Sequence, residues 1–391
     1  MNTFIMPADG LGAVTYYVIK NMGQNCIFGT VVGFLDNIKG KTKGAEFCSL
    51  PIEVPENVDK NAKVIIASGR QEKRFMQQLK ELGFTNVVNT DGIMTPDNAF
   101  KAVSQIQADK IEQKYGLPSV ENQVRGFLVD FGSEKTSLTV EYINFIVTQR
   151  CTLKCRDCCA LMQYFSNPAD SDIETINNSV DSFFSHVDFV RTLYIVGGEP
   201  FIFKDLASFI LKISEYRTRI GCFMLATNGT IIPKDDVISA LHKADVTVVI
   251  SDYGTLSKKK DVLIELLSSA GVKCETLLNQ KWYPMQSFSD KISEPEEIFR
   301  ECGIACTQVM NGKLYYCDFA GFGDALRGFP YDPENSVDLF SSGTSKEKIK
   351  AYIERSSALP ACGYCTGARV TTQAIPVAEQ VSSPLSYKRY E

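Results

Sequence analysis

The chain has 391 residues, of which 44% are hydrophobic and 22% charged, with a formal net charge of −5. That is room for about two ordinary domains with real cores. It excludes a strongly basic nucleic-acid binder, because Lys and Arg are scattered apart from Lys258-Lys259-Lys260, which reads as a solvated helix start. No apolar run approaches the roughly 18–20 residues of a membrane span. The opening Met1-Asn-Thr-Phe-Ile-Met-Pro7 lacks the basic start and apolar length of a secretion signal. Thirteen cysteines therefore point to a reducing cytoplasm, where metal binding is favoured over disulfides. Nine of them fall in three tight groups, 151/155/158/159, 302/306/317 and 362/365. Cys26, Cys48, Cys222 and Cys274 are scattered, as small buried residues commonly are.

Residues 1–118 alternate as a small α/β domain. Strands are expected at Thr3–Met6, Thr30–Asp36, Lys63–Ser68 and Asn86–Val88. Helices are expected from Gly10 to Met22, from about Gln71 to Leu82, and over most of Pro96–Tyr115. Such alternation predicts a doubly wound parallel sheet. Gly10-x-Gly12 after the first strand, with Asp36 ending the second, is an incomplete dinucleotide fingerprint. The third fingerprint glycine is missing, so a Rossmann-like scaffold that binds no nucleotide stands beside a nucleotide site. Residues 119–142 read as a connector. Arg125–Asp130 and Ser137–Glu141 can pair there as a hairpin across Gly132-Ser-Glu-Lys135.

From 143 the alternation resumes. Strands are expected at 143–149, 192–196, 221–227, 246–251 and 272–278, with a sixth after Cys306. Helices are expected near 172–187, 204–219, 234–243 and 257–270. Repeated βα units of this length predict a full or partial parallel barrel with its chemistry at the C-terminal strand ends. Cys151, Gly197–Pro200, Asn228 and Asp252 all fall at such ends. Residues 281–370 read as an irregular cysteine-bearing module and 371–391 as an extended tail.

Cys151-Thr-Leu-Lys-Cys155-Arg-Asp-Cys158 follows the apolar run Ile143-Asn-Phe-Ile-Val-Thr148. Three thiolates on one short loop can hold three irons of a cubane cluster and leave the fourth open, whereas a cluster for electron transfer alone takes four cysteines. Zinc is the competing metal, but it usually takes four ligands in two close pairs, and neither His186 nor His242 is nearby in sequence. Ile195-Val-Gly-Gly-Glu-Pro200 ends another apolar run. A glycine pair lets the backbone approach a ligand closely, and a carboxylate accepts from an ammonium. Asn228 in Ala-Thr-Asn228-Gly, and Ser251-Asp252, are polar strand ends that simple turn chemistry also explains.

Cys-x3-Cys-x2-Cys followed by Gly-Gly-Glu-Pro resembles the radical S-adenosylmethionine (SAM) enzymes over roughly residues 143–280. The resemblance implies a partial (β/α)6 barrel of TIM type. Cys151, Cys155 and Cys158 would ligate a [4Fe–4S] cluster whose open iron binds SAM, with Cys159 a non-ligand. SAM would be split by an electron from a donor such as a flavodoxin or ferredoxin. A 5′-deoxyadenosyl radical would then abstract a hydrogen atom from substrate. Gly197, Gly198, Glu199 and Pro200 would line the methionine moiety, and Asn228, Ser251 and Asp252 would touch ribose and carboxylate. Asp157 stands where many members carry an aromatic residue that packs on adenine, which leaves that contact unassigned.

Cys302-x3-Cys306, Gly312-x4-Cys317 and Cys362-x2-Cys365 resemble the twitch module, a shortened SPASM domain that carries one auxiliary four-iron cluster. Asn311-Gly312 fits its tight hairpin. Five cysteines compete for four places, with Cys302 and Cys306 as rivals, and structural zinc is the alternative metal. Residues 1–118 also resemble, loosely, the nucleotide-sugar or sugar-recognition modules of surface-polysaccharide enzymes. Together the likenesses imply a hydrogen-abstracting enzyme acting on a sugar, nucleotide-sugar or glycan precursor, by dehydrogenation, epimerisation or rearrangement. Cys159, Cys222 and Cys274 are open as hydrogen donors. A peptide maturase and a non-catalytic iron–sulfur or zinc scaffold are the alternatives.

Overall fold

The computed structural model describes residues 2–23, 28–68, 72–90, 93–117, 119–121, 123–124, 138–278, 282, 284, 290–291, 294–302, 306–365 and 375–391. The expected strand 125–130, its turn and Cys26 lie outside them. The chain divides into two compact units, the first spanning Met1–Phe131 and the second most of the remainder.

In the first unit, β1 (Asn2–Met6), β2 (Thr30–Leu35), β3 (Glu46–Phe47), β4 (Leu50–Glu53), β5 (Lys63–Ile66) and β6 (Asn86–Asn89) form one sheet in the order β3-β4-β2-β1-β5-β6. All pairs are parallel except β3 with β4. Counted along the chain, the parallel strands run 3-2-1-4-5, the order of a doubly wound dinucleotide-type sheet. The strand alternation shows directly in the packing. Ile5, Phe34 and Ile65 face α1 (Gly10–Met22) and α3 (Pro96–Ala108), whereas Met6, Leu35, Val64 and Ile66 face α2 (Glu72–Glu81). The β3–β4 hairpin was not anticipated, since its strands are short and carry Pro51. The expected 96–115 helix is broken at Lys110, which adopts a left-handed conformation (φ 54°) before α4 (Ile111–Tyr115).

The second unit carries β7 (Thr139–Ile146), β8 (Phe189–Val196), β9 (Ile220–Thr227), β10 (Thr247–Ser251) and β11 (Cys274–Leu277), five parallel strands in chain order. Between them lie α5 (Ile173–His186), α6 (Leu206–Ser214), α7 (Asp235–Lys243) and α8 (Lys260–Ser269). One sheet face, with Ile143, Phe145, Leu193, Ile195, Phe223, Leu225, Val248 and Ile250, joins the main core with these helices. Tyr194, Cys222, Met224, Val249 and Leu277 cluster on the other.

The sixth strand exists, but not where barrel order puts it. β12 (Gln308–Met310) runs parallel to β7, on the side of it away from β11. The reason is the hairpin. Asn311 and Gly312 both take positive φ (50° and 79°), which is a two-residue primed turn, and return the chain into β13 (Lys313–Tyr315) and then β14 (Ser336–Asp338). The sheet therefore stays open. The 281–370 stretch is also more regular than expected, because it contains α9 (Pro295–Glu301), α10 (Asp318–Leu326) and α11 (Lys346–Ile353) besides these strands. No helix among the described residues is long and apolar enough to cross a membrane.

Candidate active site

The parallel strands end side by side, and the thiol loop lies across two of those ends. After β7 the chain crosses the end of β8. Gly198 N donates to Thr148 O (2.9 Å) and Glu199 N to Arg150 O (2.8 Å). A Cβ on Gly197 would sit 2.4 Å from Thr148 O, and one on Gly198 2.2 Å from Arg150 O and 2.9 Å from the Cβ of Cys151. The glycine pair thus admits a close backbone approach, and what approaches here is the backbone of the thiol loop.

Glu199 turns inward. It is fully buried, Oε1 accepting from Thr227 Oγ1 (2.8 Å) and Phe201 N (3.2 Å), and Oε2 from Asn228 N (2.8 Å). The carboxyl clamps the ends of β8 and β9 together, and these contacts are to protein donors rather than an ammonium. Burial pushes its pKa up to about 7 despite these donors. Native Glu199 then holds its proton where the unfolded chain, near 4.5, has lost it. Stability falls as pH rises from about 4.5 to about 7, by about 3 kcal/mol at most. Glu199→Gln is expected to flatten that stretch of a urea-midpoint-against-pH curve. An unchanged slope would show that the carboxyl titrates normally.

Asn228, itself buried, ties the end of β9 to the thiol loop. Its Nδ2 donates to Thr152 Oγ1 (3.1 Å) and reaches Cys151 Sγ at 3.6 Å. Ser257 Oγ donates to the carbonyls of Asn228 (2.8 Å) and Ser251 (3.1 Å). Asp252 is engaged by Lys260 Nζ at 2.8 Å, which holds its carboxyl below the usual range. Lys260, the first residue of α8, is thus an ion-pair partner rather than a simply solvated charge.

Sulfur meets nitrogen donors here. Leu153 N lies 3.4 Å from Cys151 Sγ, and Gln380 Nε2 lies 3.2 Å from Cys155 Sγ. Burial pushes the free thiols of Cys151 and Cys155 up to about 12 and about 11. They would stay protonated at neutral pH unless a metal displaced the proton. The hydrogen bond between the two thiols lowers Cys158 and raises Cys159. Leu153, Cys155 and Ala378 form a small apolar cluster, with Cys151, Cys158, Tyr253 and Trp282 packed against it. The rings of Tyr253 and Trp282 meet edge to face at 5.7 Å.

The C-terminal cysteines sort themselves spatially. Cys302 ends α9, Cys317 caps α10, and Cys362 and Cys365 flank the last turn of the Pro360–Tyr364 3-10 helix. Cys317 is raised well above an ordinary thiol by burial and by the neighbouring Cys362, Cys365 and Cys302. Cys306 keeps other company: its Sγ accepts from Asp318 N (3.5 Å), and it acts electrostatically on Cys159 and Tyr142. Among the described residues, no three His, Cys, Asp or Glu side chains converge on a single-ion geometry.

In the first unit, Gly10 and Gly12 open α1, and the Asp9 side chain caps it, accepting from Gly12 N at 2.9 Å. A pyrophosphate in a dinucleotide fold sits at this helix end. Here a carboxyl is already there, and burial raises its pKa to about 6. Asp36 Oδ1 accepts from Ile38 N and Lys39 N (3.0 and 2.8 Å), an Asx turn rather than an open ribose contact.

The open parallel sheet, its three-thiol loop and its glycine–acid rim resemble those of radical SAM enzymes. Comparison with known proteins gives partial similarities. GTP 3′,8-cyclase of Helicobacter pylori (strain HPAG1) is 30% identical over 140 residues, 34% of this chain and 40% of that one. GTP 3′,8-cyclase of Campylobacter jejuni subsp. doylei is 29% identical over 140 residues, 33% of this chain and 42% of that one. The chain thus spans about two fifths of the length of these curated relatives. Among solved structures, BtrN in complex with AdoMet and 2-DOIA is 16% identical, with a TM-score of 0.42, covering 65% of this chain and 100% of that one. Native anSMEcpe with bound AdoMet is 20% identical, with a TM-score of 0.29, covering 36% and 43%. No family model matches.

Sequence reasoning did not find Gln380, Thr227, Tyr253 or Trp282. A lone polar residue in a tail carries no pattern. Tyr253 did stand directly after Ser251-Asp252, where an aromatic at a strand end was a usable signal.

Proposed function

We propose that this chain binds a [4Fe–4S] cluster on Cys151, Cys155 and Cys158, cleaves SAM reductively, and abstracts a hydrogen atom from a polar substrate. The carrying observation is the seating of the thiol loop on the ends of β8 and β9 by Gly198, Glu199 and Asn228. Such a cluster with bound SAM supplies reductive carbon–sulfur cleavage and a hydrogen-abstracting carbon radical. The protein's share is placement. Glu199 and Asn228 hold the loop against two strands. Leu153, Tyr253 and Trp282 give its sulfurs an apolar surround. Gly197, Gly198, Pro200 and Ser251 line the same rim, where the cofactor's methionine and ribose would lie. Asp252 is committed to Lys260, so its contact with SAM would be shared with that cation.

A second cluster is assigned to Cys302, Cys317, Cys362 and Cys365. With four protein ligands it serves electron transfer. Cys302→Ala is expected to lower iron from about eight to about four per chain, and Cys306→Ala to leave it unchanged. Equal losses in both variants would refute the choice of Cys302.

The substrate reading is a sugar, nucleotide-sugar or glycan precursor. Polar groups on the open sheet support it. Asn144 Nδ2 donates to Asp318 Oδ1 (3.2 Å), and the rings of Tyr142 and Tyr194 meet at 5.2 Å. Asn144 Oδ1 and both amide atoms of Gln308 are buried with no hydrogen-bond partner among the described residues, a cost of about 1–3 kcal/mol each. The doubly wound first unit fits a Rossmann-like recognition scaffold, and its capped α1 favours one that binds no nucleotide there. The reading places the enzyme in the cytoplasm, supplied by a flavodoxin- or ferredoxin-type donor.

Anaerobic reconstitution tests the proposal. About eight irons per chain and formation of 5′-deoxyadenosine on reduction support it. Stoichiometric zinc without SAM cleavage refutes it. Faster 5′-deoxyadenosine release with nucleotide sugars than with peptides supports the sugar reading, and the reverse favours a peptide maturase.

A further inference from the structure

The tail expected to trail from the C-terminal module is instead bound to the thiol loop. Val381 N donates to Lys154 O (2.8 Å), and Arg156 N donates to Glu379 O (2.7 Å). Cys155 and Gln380 stand opposite each other as an antiparallel bridge. Gln380 fills both roles of its amide. Oε1 accepts from Lys154 N (2.7 Å), and Nε2 donates to Ala378 O (2.7 Å) and to Cys155 Sγ (3.2 Å). Arg156 and Glu379 pair at 2.9 Å. Ala378, 1% exposed, adds an apolar contact beside Cys155 and Leu153. A segment remote in sequence therefore closes one side of the loop and aims an N–H at one of its three sulfurs.

We propose that residues 378–381 are a clasp on the thiol loop and that Gln380 is a positioning residue for Cys155, its amide tuning the reduction of the metal group bound there. This rests on the reading of Cys155 as a cluster ligand. A hydrogen bond to a ligating sulfur spreads the negative charge that reduction adds, so it favours the reduced state and raises the potential. A backbone donor is removed only by proline, which also fixes φ and disturbs the loop. Gln380 is a side-chain donor, so the chain can set this term independently of the loop's fold.

The test uses the full-length chain, reconstituted without oxygen, with the electron paramagnetic resonance signal that responds to SAM followed through a redox titration. Gln380→Leu removes the donor. Gln380→Glu removes it but keeps the acceptor for Lys154 N, and so keeps the clasp. Both are expected to lower the reduced fraction about tenfold at a fixed poise, about 59 mV for a one-electron couple. Glu379→Ala, which breaks only the ion pair with Arg156, is expected to leave the potential unchanged. Unchanged potentials in both Gln380 variants, or an equal fall in Glu379→Ala, would overturn the assignment. In metal-free protein, Gln380→Leu removes an N–H that stabilises the Cys155 thiolate, the nucleophile, and is expected to slow its alkylation by iodoacetamide, mapped by mass spectrometry. An unaltered rate there counts against the clasp whatever metal binds. Absence of iron on the loop with slower alkylation would instead sink the proposed function and leave the clasp standing.

Discussion

Replacing Cys151, Cys155 and Cys158 together by alanine is expected to remove about four irons per chain, leave the auxiliary four, and reduce SAM cleavage to background. The size of the effect follows from how the loop is built. All three thiols lie within eight residues, so the triple replacement removes every sulfur assigned to that cluster. His186 and His242 lie on α5 and α7, away from the loop in sequence. The variant should still fold, because the loop is seated by backbone bonds from Gly198 and Glu199 rather than by its thiols. Iron analysis, the 5′-deoxyadenosine assay and circular dichroism on one preparation check all three parts. Retention of eight irons would show that the cluster sits elsewhere.

Gly198→Ala is expected to have the next largest effect, although it adds one methyl group. Its Cβ would stand 2.2 Å from Arg150 O, and that contact is backbone, with no flexible side chain to swing aside. Either the β8 end or the thiol loop must move. Overpacking of this kind costs about 1–3 kcal/mol, roughly 2–10 °C in Tm for a unit of this size. The functional loss should exceed the stability loss, since the atom displaced belongs to the peptide preceding Cys151. Iron is expected to fall by about four per chain. Gly343→Ala, whose nearest contact is 3.7 Å, is the control and should change neither Tm nor iron. Full iron in Gly198→Ala would mean that the loop is not held in the way its contacts indicate.

Much of this site was legible because its signals are local. The cysteine spacing, the glycine pair and the polar strand ends all sit where an apolar run stops, and a run's end is visible in one dimension. The five barrel strands and four helices were expected within a few residues of their observed limits, because their apolar faces repeat with the period of the element. The Asn311-Gly312 turn was readable for a similar reason, since few other residue pairs adopt positive φ twice in succession. The β3–β4 hairpin was not, because two short strands with an internal proline show no period. Nor was the inward turn of Glu199. A carboxylate after two glycines looks the same whether it faces a ligand or is buried against Thr227 and Asn228, and only the neighbouring strand decides.

The amino-acid order alone determined the class of chemistry on offer, because three thiols within eight residues must share one loop however the remainder folds. It also determined the alternating βα architecture of both units, since those periods are properties of consecutive residues. Tertiary structure decided the rest. It placed β12 beside β7 instead of beyond β11, separated Cys302 from Cys306, and brought Gln380 to the sulfur of Cys155 across 225 positions. Each of those is a long-range pairing. Its free energy comes from groups that meet only after the chain has closed upon itself, and no window along the sequence contains both partners.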